Sequence, residues 1–304
     1  MKNNSSNRRS ELYKLALSEY NMHYVYLSSR GEVIDAENLD SAVKAIVRAS
    51  KMLIPLIEEG YEESYFLYAQ CHETLLNIEQ RYDIGMSSDV TSECLKRMLE
   101  YYKKSADSGN IDAMYSYADS VSLHNPEEAA IYYGNAASNN HSRAKLKYAI
   151  CLSEGRGVKK DQNTAGEIYM EIASNLEHVT GNNILKSRAL YENAYRCLKE
   201  ASELGDVNAT YNLASCYERG KGCIRNIKTA LSYYQDAADK GHSASRSKLV
   251  DKSSENLHIR KSRPTHYMPD KYIKGSLHKR SLSEGSGHKT RYRPSSRTSM
   301  HVSF

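Results

Sequence analysis

Small side chains recur along this chain at fixed distances from a series of residues suited to stopping a helix. Counted from Gly60, Gly109, Asn140, Gly205 and Gly241, the fourth position is always small: Ser64, Ala113, Ala144, Ala209, Ser245. The eighth and ninth are Tyr68-Ala69, Tyr117-Ala118, Tyr148-Ala149, Leu213-Ala214 and Leu249-Val250. Before the anchors stand Tyr101-Tyr102, Tyr132-Tyr133 and Tyr233-Tyr234, followed by Ser105-Ala106, Ala136-Ala137 and Ala237-Ala238. Ile168-Tyr169 and Ile172-Ala173 fit the same frame with Leu176 in the anchor slot. Offsets of four, eight and nine are helical spacing, so each period predicts two short amphipathic helices. Small residues let neighbouring helices approach, and the tyrosines fill the wedge between successive pairs. Each pair is too thin to bury its own apolar face, so stacking has to complete the core.

The expected fold is therefore all-α, an α-solenoid of stacked helix pairs over residues 37–250 with about five repeats. The interval from Asn140 to Gly205 is nearly twice that from Gly205 to Gly241. A loop and one long helix near 184–203 should absorb the excess. Pro55 should interrupt the first helix of the array. Residues 1–10 are expected to be disordered and 11–36 to form a helical N-terminal cap.

Two Gly-x-Gly turns, Gly155-Arg156-Gly157 and Gly220-Lys221-Gly222, invite a phosphate-binding reading. A dinucleotide loop needs a strand before its glycines and a helix immediately after them. Here a helix precedes each turn, and several loop residues follow before the next helix. A helix C-cap with a tight turn is the expected role. Asp161 and Asn226, each four residues after the second glycine, are placed to cap the helix that follows.

Composition adds a division of charge. Residues 251–304 carry 12 Lys and Arg against 4 Asp and Glu, a charge of +8, which leaves 30 against 33, or −3, for the rest of the chain. Rich in serine and poor in aliphatics, this tail cannot offset its ordering entropy and is expected to be a basic, Ser-rich disordered segment. Arg280 and Arg293 stand three residues before Ser283 and Ser296, which makes these serines candidate phosphorylation sites. Contact with nucleic acid or acidic lipid is expected, if at all, through this tail. Twenty-five Tyr against two Phe and no Trp imply many buried rings whose hydroxyls must find partners. No export signal or membrane-spanning run is evident; the longest apolar run is Met52–Ile57. The expected location is the cytoplasm.

The search for chemistry yields little. Six cysteines (Cys71, Cys94, Cys151, Cys197, Cys216, Cys223) lack CxxC spacing, and three of them, Cys71, Cys151 and Cys216, share one position of the repeat. Eleven His show no ligand spacing. Carboxylate pairs such as Glu58-Glu59, Glu62-Glu63 and Glu127-Glu128 fall at helix ends. No catalytic residue, cofactor, metal or small-molecule substrate is expected.

The motifs "YERGKGC" and "LSEGRGV" followed by "KKD", the Leu-Ala or Tyr-Ala step, and "ALSYYQDAADKG" and "AAIYYGNAASNN" resemble the Sel-one-like repeat solenoids, relatives of the tetratricopeptide repeats. That resemblance implies a right-handed superhelical scaffold whose concave surface binds other proteins, without catalysis. "YFLYAQCHETLL" and "YYKKSADSGNIDAMYSYADS" look most similar to the cytoplasmic chitin synthase regulators, which implies a membrane-bound chitin synthase as client. The chain departs from that branch in having no Cys after Cys223. An adaptor of endoplasmic-reticulum-associated degradation and an RNA-binding protein working through its tail are the alternatives. On the first helix of each repeat, offsets three, six and ten lie opposite the buried set. They nominate Asp112, Tyr115, Asp119, Arg143, Leu146, Ile150, Asn208, Tyr211 and Ser215 as a client-binding face.

Overall fold

The computed structural model describes residues 2–27, 35–179 and 184–251. The tail, with Ser283 and Ser296, lies outside them. Eleven helices follow in order: α1 (Lys2–Leu27), α2 (Ala36–Glu58), α3 (Glu63–Tyr82), α4 (Ser88–Asp107), α5 (Ile111–Val121), α6 (Pro126–Ser138), α7 (Ser142–Glu154), α8 (Gln162–Val179), α9 (Ile184–Glu203), α10 (Val207–Arg219) and α11 (Ile227–Asp239). A twelfth, α12, runs over 243–251, and no strand occurs among the described residues. The extra sequence before Gly205 is taken up largely by α9, a helix of 20 residues.

The anchors end helices as their chemistry dictates. Gly60, Gly109, Asn140, Gly205 and Gly241 all have positive φ. At Gly109 the N–H donates to Ala106 O (2.9 Å), and the next N–H, of Asn110, donates to Ser105 O (3.1 Å). The other four anchors repeat this pair of bonds, which is the Schellman closure. The residue after the anchor then caps the next helix: the side chains of Asn110, His141 and Asp206 accept the N–H of Ala113, Ala144 and Ala209. One turn of chain thus closes one helix and opens the next, which keeps the connections short.

Each helix packs on its neighbours in sequence, and three or four successive helices share each patch of core. Ala118, Tyr133 and Ala144 bring α5, α6 and α7 together; Ala149, Tyr169 and Ala194 do so for α7, α8 and α9; Ala214, Tyr234 and Leu249 for α10, α11 and α12. The helices therefore alternate between two layers. The residues four after each anchor, Ser64, Ala113, Ala144, Ala209 and Ser245, are wholly buried at the closest approaches.

The tyrosines hold the layers together. The hydroxyls of Tyr102, Tyr133, Tyr191 and Tyr234 donate to Glu73 (2.6 Å), Asp119 (2.8 Å), Glu177 (2.8 Å) and Glu218 (2.8 Å), each on the preceding helix. The rings lie in the core and the hydroxyls reach carboxylates at its edge, a pairing that Phe could not make. Burial raises the pKa of all four hydroxyls, so they remain protonated donors.

Residues 2–10 are the first turns of α1, and one expectation, that for Pro55, needs correction. Adding a residue to an existing helix costs far less than nucleating one, and the Arg9 guanidinium lies 5.7 Å from the Tyr61 ring centre, tying this segment to the α2–α3 turn. Pro55 does not interrupt α2, which continues to Glu58. It sits in the last turn, where it removes a single helical donor, while Leu53 and Leu56 on either side are buried.

Candidate functional site

The Gly-x-Gly turns are helix ends. Gly155 and Gly220 are left-handed C-caps of α7 and α10. The second glycines are needed for closeness: a Cβ on Gly157 would stand 1.9 Å from Pro126 O, and one on Gly222 would stand 2.1 Å from Tyr191 O. Each turn is pressed against the backbone of an earlier helix, and its middle amide, of Arg156 or Lys221, already donates to Cys151 O (2.9 Å) or Cys216 O (3.0 Å). Lys221, the cation a phosphate would need, already donates to the Tyr191 hydroxyl (2.5 Å) and pairs with Glu177 (3.3 Å). Asp161 and Asn226 accept the N–H of Thr164 (3.0 Å) and Thr229 (3.1 Å), as the spacing predicts.

The nine nominated face residues separate into two groups. Within one layer, Lys147 of α7 pairs with Asp119 of α5 at 2.5 Å. In the other, Asn212 of α10 donates to Glu167 of α8 at 2.8 Å, and Cys216 Sγ lies 4.0 Å from Met170 Sδ. Thus α10 is the layer neighbour of α8, whereas α5 and α7 occupy the opposite layer. The single helix α9 causes this. It stands to α7 and α8 as α7 stands to α5 and α6, and so displaces α10 by one place in the alternation. Asp112, Tyr115, Asp119, Arg143, Leu146 and Ile150 belong to one layer, and Asn208, Tyr211 and Ser215 to the other.

Several of the nine are engaged in packing. The Tyr115 ring lies 4.8 Å from that of His141 and 6.1 Å from Tyr133. Tyr211 repeats this arrangement with His242 (4.6 Å) and Tyr234 (5.5 Å). Both tyrosines are half-buried against the capping His of the next helix in the same layer. Leu146 and Ile150 pack into the α7–α8–α9 core. Asp119 accepts from Tyr133 and Lys147. Asp112, Arg143 and Asn208 are exposed, with Asp112 3.3 Å from His141 Nε2.

A further recess escaped the sequence reading. The end of α7, the loop after Gly157, the start of α8 and the α9–α10 turn enclose a cleft of about 690 Å³, lined by Tyr148, Leu152, Val158, Gln162, Asn163 and Leu204 among others. No periodicity points to it, because its walls come from segments far apart in the chain.

The six cysteines are free thiols, and all but Cys223 are buried. Burial pushes the Cys71 and Cys216 thiols up to about 12, which leaves them protonated and unreactive. Among the described residues, no group of three or more His, Cys, Asp or Glu is arranged to hold a metal ion. No described helix is long and apolar enough to cross a membrane.

The chain is 25% identical over 214 residues to the chitin synthase regulator SKT5 of Saccharomyces cerevisiae, an alignment covering 62% of this chain and 30% of that protein. It is 26% identical over 161 residues to DAP3-binding cell death enhancer 1 of Mus musculus, covering 39% of this chain and 32% of the relative. The chain thus spans about a third of the length of these relatives. Among solved structures, a Sel1 repeat protein from Oxalobacter formigenes aligns over 69% of this chain and 87% of its own at 21% identity, with a TM-score of 0.36. The c5321 antigen of uropathogenic Escherichia coli aligns over 83% and 67% at 16% identity, with a TM-score of 0.25. The Sel1 repeat model matches residues 99–110, 112–141, 142–178, 181–206 and 207–242, so the α4–α11 part of the chain carries Sel1 repeats.

Proposed function

We propose that this protein is a non-catalytic scaffold that holds a protein client against one layer of its repeats, with a chitin synthase as that client and the cytoplasm as its location. The observation that carries this reading is the run of Sel1 repeats combined with similarity, over 62% of the chain, to a protein named as a chitin synthase regulator. The layer containing α5 and α7 supports it with a mixed-charge surface: exposed Asp112 and Arg143 flank the Asp119–Lys147 pair. Charges placed this way select a partner more than they add affinity. Tyr115 and Tyr211 are better explained as packing between repeats.

The test is binding of the purified chain to detergent-solubilised chitin synthase, measured for wild type and for Asp112→Lys/Arg143→Glu. Capture by the wild type and at least tenfold weaker capture by the charge-reversed variant are expected, with unchanged helicity. Absence of capture by wild type removes the chitin synthase assignment. Equal capture by both proteins removes the face.

A further inference from the structure

A second cleft, of about 530 Å³, lies between the start of α9 and the turn that follows α10. Its rim carries apolar side chains that the core does not use. Ile224 is 89% exposed and Ile184 67% exposed, both lining the cleft, and Leu185 beside Ile184 is 80% exposed. None of the three belongs to a hydrophobic cluster of the neighbouring helices. The duplicated turn shows that packing does not demand an isoleucine here. Counted from the first glycine of each Gly-x-Gly, Ile224 corresponds to Lys159 of the α7–α8 turn, which is also exposed. The position faces solvent in both turns, so an aliphatic residue there implies a contact outside the fold.

The charge around these side chains is unbalanced. The start of α9 and the α10–α11 turn supply Lys186, Arg188, Arg219, Lys221 and Arg225. The two carboxylates of the cleft are taken: Glu192 pairs with Arg188 (3.1 Å) and Glu177 with Lys221 (3.3 Å). Glu218, next to Arg219, is engaged by the Tyr234 hydroxyl (2.8 Å) and by Lys248 (3.8 Å). Lys186, Arg219 and Arg225 are exposed and have no ion-pair partner among the described residues. Three surplus cations therefore stand among three uncovered aliphatics, on a body whose net charge outside the tail is −3.

Such a surface selects an anionic partner that also accepts apolar side chains, and its shape narrows the choice. Ile224 stands in a turn and Ile184 and Leu185 open a helix, so the three project from the rim. A protein partner would need a preformed pit for each. A fluid bilayer closes around projecting side chains without one, while its headgroups meet cations spread over a surface. We propose that this rim is a peripheral contact with an anionic lipid surface. Ile184, Leu185 and Ile224 enter the boundary of the acyl chains, and Lys186, Arg219 and Arg225 meet the headgroup phosphates. The contact belongs to the folded array rather than to the basic tail. It goes beyond the scaffold reading and does not depend on the identity of the client.

The chain contains no Trp, so Ile224→Trp places a single tryptophan at the rim. In the full chain its emission should shift to the blue on phosphatidylcholine vesicles containing phosphatidylserine, and stay unshifted on phosphatidylcholine alone. Leu123→Trp, at an equally open position in the α5–α6 turn (84% exposed), should shift on neither, which separates the rim from attachment through the tail. Lys186→Glu/Arg219→Glu in the Ile224→Trp chain should raise the lipid concentration at half-shift at least tenfold, with an unchanged melting temperature. No shift on the anionic vesicles, an equal shift at Leu123→Trp, or an undiminished shift in the charge-reversed chain overturns the lipid contact. If a peptide of alternating glutamate and leucine shifts the Ile224→Trp emission while the vesicles do not, the rim docks a protein and the lipid contact is likewise overturned. Capture of detergent-solubilised chitin synthase involves no vesicle, so its failure beside a positive shift removes the client assignment alone.

Discussion

Glycines of one backbone class should differ in cost according to the space around them. Gly109 and Gly157 both have positive φ, +94° and +72°. Around a Cβ built on Gly109 nothing lies within 4 Å, whereas one on Gly157 would meet Pro126 O at 1.9 Å, Pro126 C at 2.3 Å and Glu127 N at 2.7 Å. Alanine at Gly109 suffers only the backbone penalty, about 1 kcal/mol. Alanine at Gly157 carries that penalty and must also push a turn away from the backbone at the start of α6, a displacement costing roughly a further 1 to 3 kcal/mol, or about 3 kcal/mol in all. Gly222→Ala should match Gly157→Ala, because its Cβ would meet Tyr191 O at 2.1 Å. Asn140, already left-handed at φ 64°, should accept glycine with no loss or a small gain. Urea titration followed by circular dichroism measures all four as shifts in midpoint at a common slope. Equal losses at Gly109 and Gly157 would show that the second glycine is not held by close contact, and the account of the turns would be wrong.

Further outcomes follow from the tyrosines and one histidine. Tyr133→Phe should cost about 1 kcal/mol in the same titration, the net worth of its bond to Asp119; no loss would mean that the hydroxyl–carboxylate pairs do not hold the layers. Tyr115→Ala should cost about 2 kcal/mol, less than a fully buried aromatic because the ring is half-buried between His141 and Tyr133. An unchanged midpoint would return Tyr115 to the list of free binding residues. His72 is buried with neither ring nitrogen hydrogen-bonded. Burial, and then the Arg97 charge, push its pKa down to about 4, against a weaker upward pull from Glu93. The unfolded chain takes up this proton near pH 6.5, before the native one does. The contribution to stability is therefore full above about pH 6.5 and is lost between there and about pH 4, by up to about 3 kcal/mol. His72→Phe should flatten that part of the pH profile, and parallel profiles for the two proteins would refute the assignment.

The local chemistry of the array could be read in the sequence because it repeats. The anchors, the small fourth residue and the caps at Asp161 and Asn226 each depend on a few consecutive residues, and each is where the spacing placed it. Layer membership is a different kind of property. Asn208, Tyr211 and Ser215 occupy the same offsets as Asp112, Tyr115 and Asp119, yet the count of intervening helices decides which way they face. The pattern assigns the excess before Gly205 to a loop and one long helix without giving that helix a place in the alternation, and Tyr191 donating to Glu177 shows the place it takes: α8, the second helix for α7, also acts as the first helix for α9. The half-burial of Tyr115 and Tyr211 was hidden for a related reason. The histidines that cover them stand beyond the next helix of the chain, outside the window in which a helical period is counted. The cleft beside Gln162 draws on connections that no single repeat contains.

The solitary helix α9 also sets a rule for altering the length of the protein. Helices can be added or removed in twos without changing the side on which anything downstream is displayed, since two steps restore the alternation. Removing α9 alone would invert the remainder: α10 would move to the layer of α7, Asn208 and Tyr211 would change sides, and the seat that Gly222 finds at Tyr191 would vanish. Shortened versions of this chain, natural or engineered, should therefore differ from it by an even number of helices, or else bring a compensating odd one.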